Sequence, residues 1–264
     1  MLTLYEHPLS PYAQKVKIAL REKGLEFSLA LPEGLGAGGA AGAFAKANPR
    51  AEAPVLIDGE TSIFDSTIIL AWLEDAFPSP PLLPARPADR ARVRMVEEVM
   101  DTHFEAINWA MGEVNWFRRA EGELAAQLKS AASRQTAGFH AWLGDRLSDR
   151  PWFNGEAFGW GDLCVVPFVA AAAGLGNAPP AGSRLAAWLE KTLRRPSVEK
   201  TLAEAGAFDI GASNIPQLLA SGLFKRQYRD HRLEWMMKSG GVQIVLDGMK
   251  AGNIRFHPDF SGEG

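Results

Sequence analysis

The clearest candidate for chemistry in the sequence is the Ser10-Pro11-Tyr12 triplet near the amino terminus. Ser10 stands where a helix N-cap is expected, and Pro11 occupies the first helical position, where a missing N–H is tolerated. A serine hydroxyl beside the free N–H groups and the positive end of a helix dipole can bind or stabilise an anion. Taken alone, the same pattern also describes a serine that only caps a helix.

Two further fragments offer groups that could bind a ligand together with Ser10. Pro54 leads a predicted strand, and we expect a cis Ala53–Pro54 bond, which would turn the backbone of Ala53 outward to pair with an extended, peptide-like ligand. Asp65 and Ser66 open a predicted helix and offer a carboxylate for an ammonium group and a helix N-terminus for a carboxylate. Together the three fragments supply the groups that a zwitterionic γ-glutamyl peptide needs.

The elements that must position these fragments follow a β-α-β, then α, then β-β-α order over the first eighty residues. Apolar residues alternate in the predicted strands and recur at helical spacing in the predicted helices. An Asp58-Gly59 pair predicts a hairpin turn between the last two strands. The predicted strands span 2–5, 25–31, 53–57 and 61–64, and the helices span 11–23, a short segment ending at 47, and 67–76. This order, with a proline leading the third strand, resembles the thioredoxin fold.

The same pieces resemble the glutathione transferase family of the cytosolic type, and within it the tau- and omega-like bacterial members with a serine-type active site. The resemblance is carried by Ser10–Ala13, Asn48-Pro49, Ala53–Leu56 and Asp65–Ile69. It implies that Ser10 is the catalytic residue, whose hydroxyl hydrogen-bonds the sulfur of glutathione. Members of the omega class are similar but have Cys in place of Ser10.

The resemblance also implies roles for further residues. The implied glutathione-binding residues are Ser10, Lys46, Glu52, Ala53, Pro54, Asp65 and Ser66. Ala53 would pair with the cysteinyl unit, Asp65 and Ser66 would hold the γ-glutamyl end, and Lys46 would lie near the glycyl end. The second-substrate pocket is expected to include Leu9, Tyr12, Phe104 and Trp109, with core packing as the alternative for the last two. No metal site is predicted.

Glu52 departs from the family's pattern, which usually has Gln or Lys at this position. If residue 52 points toward the glycyl carboxylate, two unit charges ~5 Å apart at an effective dielectric near ~20 repel by about 3 kcal/mol before screening. At a wet rim, salt and rotamer freedom reduce this to about 1 kcal/mol, or about a five-fold loss of affinity. Pairing of Glu52 with Arg50 or Lys46 would remove even that loss.

The predicted fold class is an α/β domain followed by an all-α domain. We expect a thioredoxin-like, glutathione-binding domain at 1–78, a linker at 79–88, an all-helical substrate-binding domain at 89–210, and a partly helical C-terminal extension at 211–264. Residues 78–87 contain five prolines, which is typical of a linker.

Helical periodicity dominates after the linker. A long helix or a kinked pair is predicted over 90–117, and a second long helix over 121–148. Asp162 resembles the residue that caps the most buried helix of the family, although Gly159 stands where the family has Ser or Thr.

The extension carries no family motif that we identify. Residues 218–238 predict a helix whose five basic residues form a solvated face, and 242–250 predict a shorter helix. The extension could cover the substrate pocket or add to a subunit interface.

Composition and charge exclude several function classes. A net charge of -3 gives no general affinity for nucleic acid or anionic membranes. The single cysteine, Cys164, cannot form an internal disulfide, which fits a reducing, cytoplasmic compartment.

No signal peptide is expected, and the longest apolar run, Leu163 to Leu175, is too short to span a bilayer. The Gly-rich stretch at 32–42 lacks the spacing of a phosphate-binding loop.

The sequence therefore predicts a cytoplasmic detoxification enzyme, a glutathione transferase that activates the glutathione thiolate for attack on a small apolar electrophile. The resemblance implies glutathione as cosubstrate and a homodimer. One alternative, a thiol–disulfide or deglutathionylation reaction, needs a nucleophilic Cys at position 10, whereas the only Cys is at 164. A second alternative is a non-catalytic glutathione-fold binding or interaction protein, which Glu52 and the extension keep open.

Overall fold

Four short strands near the amino terminus form one mixed sheet. The computed structural model of the protein describes residues 1–33, 42–208, 215–222 and 224–256. The strands are β1 (Leu2–Tyr5), β2 (Phe27–Ala30), β3 (Val55–Asp58) and β4 (Thr61–Phe64), and their spatial order is β2-β1-β3-β4. β2 pairs with β1 in parallel, and β3 pairs antiparallel with both β1 and β4. This topology confirms the prediction of a thioredoxin-like domain.

Three helices belong to the same part of the chain as the sheet. They are α1 (Pro11–Glu22), α2 (Gly42–Ala47) and α3 (Ser66–Ala76). The loop predicted at 32–42 falls mostly on residues 34–41, which lie outside the described residues. The short helix predicted to end at 47 is present as α2.

Helix α1 forms because its sequence carries a capping group at each end and an apolar stripe between them. The Ser10 hydroxyl oxygen accepts a hydrogen bond from the backbone N–H of Ala13 at 3.3 Å. Gly24 follows the helix with a φ of 65°, a left-handed conformation that glycine adopts without strain. The same helix also buries the side chains of Lys15 and Lys17 completely, which its apolar periodicity does not reveal.

From residue 87 onward the described chain is mainly helical. The segment predicted as a long helix or a kinked pair over 90–117 consists of two α-helices, Pro87–Val99 and Glu105–Asn115, joined by a π-helical turn at Met100–Phe104. The helices are α4 (Pro87–Val99), α5 (Glu105–Asn115), α6 (Gly122–Leu147), α7 (Trp160–Gly174), α8 (Arg184–Leu193), α9 (Pro196–Ala207), α10 (Ile215–Ala220), α11 (Asp230–Lys238) and α12 (Val242–Lys250).

Helix α7 is the most buried helix of the fold, and Asp162 caps its first turn. The Asp162 carboxylate accepts hydrogen bonds from the backbone N–H groups of Phe153 at 2.8 Å and Gly159 at 3.2 Å. A Cβ on Gly159 would lie 2.3 Å from both the side-chain nitrogen of Asn154 and the carbonyl oxygen of Leu82. Close packing of the backbone therefore explains why Gly, and not Ser or Thr, stands at position 159.

The C-terminal extension does not contain the single helix predicted over 218–238. A short parallel pair of strands, β5 (Arg226–Gln227) and β6 (Ile254–Arg255), brings the two ends of the extension together, and β5 separates α10 from α11. The helix predicted at 242–250 is confirmed as α12. The strand pair joins residues far apart in sequence, so local periodicity cannot indicate it.

Two of the five basic residues in the predicted helix at 218–238 do not lie on a solvated face, whereas the side chain of Lys238 is 72% exposed. The side chains of Arg226 and Arg232 are only 13% and 11% exposed. Each pairs with a buried carboxylate of α5, Arg226 with Glu113 and Arg232 with Glu105. The prediction was wrong because buried carboxylates on a distant helix, and not water, neutralise these charges.

Two large apolar clusters, with a small third one around Phe117 and Leu219, form the core of the described residues. The larger one joins the inner face of the sheet and α1 to α4, α7 and α8, so the sheet domain and the helical domain share a core. The second one lies between α5 and α6 and includes Trp235 and Met236 of α11 and Ile244 of α12. Within the described ranges, no helix has the combination of length and apolar character needed to cross a membrane.

Candidate functional site

A cavity of about 1200 Å³ lies between the sheet domain, the α5 region and the C-terminal extension. Since small-molecule pockets commonly measure ~300–1,000 Å³, this volume can hold two ligands side by side. The cavity brings together most of the residues that the sequence predicts. The predicted residues that line it are Leu9, Ser10, Tyr12, Glu52, Ala53, Pro54, Asp65, Ser66 and Trp109.

Two predicted site residues do not line the cavity. Lys46 is exposed on α2 and is not among the residues that contact the cavity. Phe104 is completely buried in the core, where its ring packs against Phe139 and His140. An apolar residue at helical spacing fits either role, and only the structure shows that Phe104, the last residue of the π-helical turn, is buried in the core.

Ser10 lies on the cavity at the N-terminus of α1. Its hydroxyl oxygen accepts the hydrogen bond from Ala13, and its backbone N–H donates to the carbonyl oxygen of His7 at 2.8 Å. In the part of the chain that the structure describes, no acceptor takes the hydroxyl proton of Ser10. This hydroxyl can therefore donate to a ligand, with the positive end of the α1 dipole behind it.

The loop before β3 presents backbone groups to the same cavity. The Ala53–Pro54 peptide bond is cis, as predicted. The buried Asn48 side chain fixes the loop, because it donates to the carbonyl oxygen of Glu52 at 2.6 Å and accepts from the backbone N–H of Arg50 at 2.9 Å. The main chain at residues 51–54 is held at the cavity wall in this way.

The N-terminus of α3 forms another wall of the cavity. Asp65 caps the helix by accepting from the backbone N–H of Thr67 at 3.0 Å, and its backbone φ of 72° is uncommon for a residue other than glycine. Such strain is found where the surrounding structure holds a functional group in place. Ser66 is buried beside it and also lines the cavity. Asp65 therefore offers a carboxylate to a cationic group at the helix N-terminus.

Glu52 is surrounded by cationic and polar side chains. One carboxylate oxygen pairs with a guanidinium nitrogen of Arg50 at 2.8 Å. The other accepts a hydrogen bond from the side-chain amide of Gln227 at 2.7 Å and lies 3.8 Å from the guanidinium of Arg229. Of the two pairings considered in the sequence analysis, the one with Arg50 is present, and it neutralises the charge of Glu52.

The far half of the cavity has aromatic walls. Trp109 and Trp116 of the α5 region line it, together with Phe117 and Phe224, whose rings stack with centroids 5.5 Å apart. The guanidinium of Arg226 lies 4.3 Å from the ring centroid of Trp109 and 4.0 Å from that of Phe117. This half can bury an apolar or aromatic ligand beside the polar half that contains Ser10.

A buried charge network supports the cavity wall beneath Tyr12. The Tyr12 hydroxyl donates to the carbonyl oxygen of Asp101 at 2.7 Å, and burial raises the Tyr12 pKa well above its ordinary value, so the phenol stays neutral. The ammonium of Lys15 pairs with Asp101 at 2.5 Å and Glu97 at 2.7 Å. Burial alone would lower the Lys15 pKa, but these carboxylates raise it well above its ordinary value. The network ties α1 to α4 and the π-helical turn.

Cys164 lies in the middle of α7, away from the cavity. Its side chain is completely buried, and burial raises the pKa of its thiol well above the ordinary range. A reactive cysteine needs an exposed, stabilised thiolate, and Cys164 has neither property. The thiol–disulfide alternative therefore has no nucleophile in this cavity.

The sequence did not indicate the basic residues that the extension adds to the cavity. Arg226, Arg229, Arg232 and Arg255 all line it, although they lie more than 150 residues beyond Asp65 in the chain. For Arg226, Arg229 and Arg232 the only signal in the sequence was the run of basic residues at 225–238, which also fits a solvated helix, and Arg255 lies outside that run.

Comparisons with known proteins agree with this geometry. Residues 4–81 match the family model described as "Glutathione S-transferase, N-terminal domain". The chain is 32% identical over 214 residues to a probable glutathione S-transferase of rice (Oryza sativa subsp. indica), a match that covers 76% of this chain and 89% of the rice protein. It is also 27% identical over 216 residues to a stringent starvation protein A homolog of Haemophilus influenzae, covering 78% of this chain and 92% of that protein.

A solved structure gives the same result. The crystal structure of a rice glutathione S-transferase in complex with glutathione superposes with a TM-score of 0.63 at 30% identity. The match covers 76% of this chain and 91% of the rice chain. About a quarter of this chain therefore lies outside the match.

Proposed function

Because this chain belongs to the glutathione S-transferase family, we propose that it transfers glutathione to a small apolar electrophile, with Ser10 as the catalytic residue. The observation that carries the proposal is the position of the Ser10 hydroxyl. It lies at the N-terminus of α1, on one cavity with the cis Ala53–Pro54 bond and the Asp65 cap of α3. The polar half of the cavity takes glutathione, and the aromatic half takes the electrophile.

The proposed chemistry follows from the acidity of a thiol. A free thiol has a pKa near ~8.5, so a minor fraction is thiolate at neutral pH, and the thiolate is the nucleophile. The Ser10 hydroxyl would donate a hydrogen bond to the sulfur, and the α1 dipole would favour its negative charge. The thiolate then forms a carbon–sulfur bond: a halide leaves from an aryl halide, whereas an epoxide opens and its oxygen takes up a proton.

The Ser10→Ala variant tests this role. We expect turnover to fall by ~10-fold or more, because the donor acts on the thiolate, while the Kd for glutathione changes little, because most peptide contacts lie elsewhere. The pKa of the bound thiol should rise toward its ordinary value in an absorbance titration of the thiolate. An unchanged thiol pKa and rate would contradict the assignment.

Ser183→Ala is the matched control for Ser10→Ala. Ser183 caps α8 in the same way, by accepting from the backbone N–H of Ala186 at 3.1 Å, and it does not line the cavity. Both variants lose a helix cap, at a cost of about 1 kcal/mol of stability. Only the Ser10 variant should lose turnover.

A second candidate function is a non-catalytic glutathione-binding protein. It is favoured by the relative from Haemophilus influenzae, whose name does not describe a transferase. Retention of glutathione with no turnover across a panel of aryl halides, epoxides, activated alkenes and β-aryl ethers would support this candidate. Turnover of any member of the panel that depends on Ser10 would reject it.

We also propose that the protein is a cytoplasmic homodimer. A cytoplasmic location is supported by a single cysteine that is buried as a free thiol. Cell fractionation that recovers the protein outside the cytoplasm would contradict it.

Dimerisation is supported by two exposed apolar side chains, Ile68 of α3 and Met95 of α4, which lie in different domains.

A further inference from the structure

The two ends of the C-terminal extension come together as a small ribbon made of β5 and β6. Gln227 lies opposite Arg255 in the register of the two strands. The backbone N–H of Tyr228 donates to the carbonyl oxygen of Arg255 at 2.8 Å, and that of Arg226 donates to the carbonyl oxygen of Asn253 at 3.0 Å. The ribbon therefore fixes the backbone at Gln227 and Arg255 relative to each other.

The ribbon contacts the loop that precedes the cis Ala53–Pro54 bond. The Gln227 side chain donates to the Glu52 carboxylate at 2.7 Å, and the Arg255 guanidinium donates to the carbonyl oxygen of Ala51 at 3.4 Å. The same Arg255 nitrogen lies 3.2 Å from the side-chain oxygen of Gln227. Ala51 has a φ of 53°, a conformation that is rare for alanine and needs support from its surroundings. The extension supplies such support.

This contact leaves positive charge in excess at the cavity wall. The guanidinium groups of Arg50 and Arg229 lie 2.8 Å and 3.8 Å from the Glu52 carboxylate, and Asp65 reaches only Arg50, at 3.5 Å. A third guanidinium, that of Arg255, lines the same cavity. Among the described residues, no carboxylate lies within ion-pair distance of Arg255, whose hydrogen-bond acceptors are neutral oxygens. Its Nε atom is buried without a hydrogen-bond partner in that part of the chain. Arg255 therefore has both charge and donor capacity left for an anion.

The position of Arg255 indicates which anion it would bind. With the sulfur of glutathione at Ser10, its peptide along Ala53 and its γ-glutamyl end at Asp65, the glycyl carboxylate lies on the side of residues 51 and 52. Lys46, the cation that the sequence predicts for this carboxylate, does not line the cavity. Arg50 of the same loop lines the cavity but already pairs with Glu52 at 2.8 Å and Asp65 at 3.5 Å, which favours a cation from another element.

We propose that the ribbon completes the glutathione site from within the same chain, with Arg255 binding the glycyl carboxylate and Gln227 holding Glu52 out of its way. Arg229, 3.8 Å from Glu52, adds to the positive potential there. This inference rests on the proposed function. It makes the extension a part of the substrate site, and it explains how a chain with an acidic residue at position 52 still accommodates a second carboxylate.

The test compares two ligands, glutathione and glutathione esterified at its glycyl carboxylate, by isothermal titration of the full chain. We expect the unsubstituted protein to bind glutathione about ten-fold more tightly than the ester, as is typical of one charge-assisted contact. In Arg255→Gln, glutathione should bind about ten-fold more weakly while the ester binds unchanged. The ratio of the two affinities should then fall to about twofold or less.

Several outcomes would overturn the inference. Equal binding of the two ligands to the unsubstituted protein would exclude a cation at the glycyl end. If the ratio of the two affinities is unchanged in Arg255→Gln, another residue recognises the glycyl carboxylate. If both ligands bind more weakly by the same factor, Arg255 only supports the loop. No binding and no turnover of glutathione by the unsubstituted protein would overturn the proposed function itself.

Two further variants keep the test informative. Arg194→Gln removes an arginine whose side chain is 75% exposed and pairs only with Glu190 on its own helix, and it should change neither affinity. Arg255→Lys keeps the charge but loses the planar guanidinium, so it should show an intermediate ratio. If Arg255→Gln does not fold, a ratio in Arg255→Lys equal to that of the unsubstituted protein would overturn the proposal.

Discussion

A single carboxylate, that of Glu52, joins two parts of the chain that are far apart in sequence. It pairs with Arg50 of its own loop and accepts a hydrogen bond from Gln227 of the extension. Its side chain is only 14% exposed, so these interactions are partly shielded from water. The residue that looked unfavourable for an anionic ligand is therefore also an attachment point for the C-terminal ribbon.

The variant Glu52→Gln separates these two effects. The variant removes a negative charge, which favours an anionic ligand, but it also weakens the contact with Gln227 of the ribbon, which disfavours binding. Because the two effects oppose each other, we expect the affinity for glutathione to stay within about twofold, as measured by isothermal titration at two salt concentrations. Loss of the charge-assisted contacts should lower the free energy of unfolding by about 1–2 kcal/mol. Glu60→Gln, an exposed substitution in the β3–β4 turn, is the control and should change neither quantity. Several-fold tighter binding at low salt would mean that Arg50 does not neutralise Glu52.

At the scale of elements, α5 and α11 are held together by ion pairs inside the protein. Glu105 of α5 pairs with Arg232 of α11 at 2.5 Å and accepts a hydrogen bond from His231 at 2.9 Å. Burial alone would raise the Glu105 pKa, but these partners lower it to about 2. Glu113 of the same helix pairs with Arg226 in β5. Carboxylates of α5 thus attach the extension, including the ribbon, to the helical domain.

The lowered Glu105 pKa predicts a pH-dependent contribution to stability. A carboxyl whose folded pKa lies below its unfolded value stabilises the fold above the unfolded pKa, ordinarily near ~4.3, and loses that contribution as the pH falls through the folded value. Glu105→Gln should therefore be clearly less stable at pH 6, and the difference should shrink by roughly 1 kcal/mol by pH 3.5. Denaturant titrations at both pH values measure it, with exposed Glu156→Gln as control. A difference that does not change with pH would mean that the ion pair contributes nothing.

At the scale of the whole molecule, the sheet domain and the helical domain share one core. Lys15 of α1 pairs with Glu97 of α4, and Arg195 of the α8–α9 junction pairs with Glu22 at 2.6 Å. The cavity lies where these domains and the extension meet, so its shape depends on all three. The exposed apolar side chains include one from each domain, Ile68 at 57% and Met95 at 61% exposure.

The proposed homodimer, with the first domain of one subunit against the long helices of the other, would cover these two side chains. Light scattering at micromolar concentration should give twice the chain mass of 28.7 kDa. Met95→Glu should shift the protein toward monomers, because it places a charge in an apolar contact. Met249→Glu, an equally exposed methionine on α12, is the control and should remain dimeric. A monomer in the unsubstituted protein would reject the dimer.

The sequence by itself determined the parts of the protein that depend on local chemistry. Ser10 with Pro11 defines a helix start, Asp58-Gly59 defines a hairpin, and Ala53–Pro54 leads a strand. Each signal is contained in a few consecutive residues, so its pattern of caps, turns and periodicity can be read directly. These signals were enough for the fold class and for most of the residues on the polar half of the cavity.

Only the tertiary structure decided which residues meet across long stretches of chain. Phe104 points into the core and Lys46 away from the cavity, although both patterns also fit a site residue. Arg226 and Arg232 are buried because carboxylates of α5 neutralise them, and Arg255 of the two-residue strand β6 reaches Ala51 in the loop before β3. The free energy of burying a charge depends on its partner, and a partner more than a hundred residues away leaves no periodic signal in the sequence.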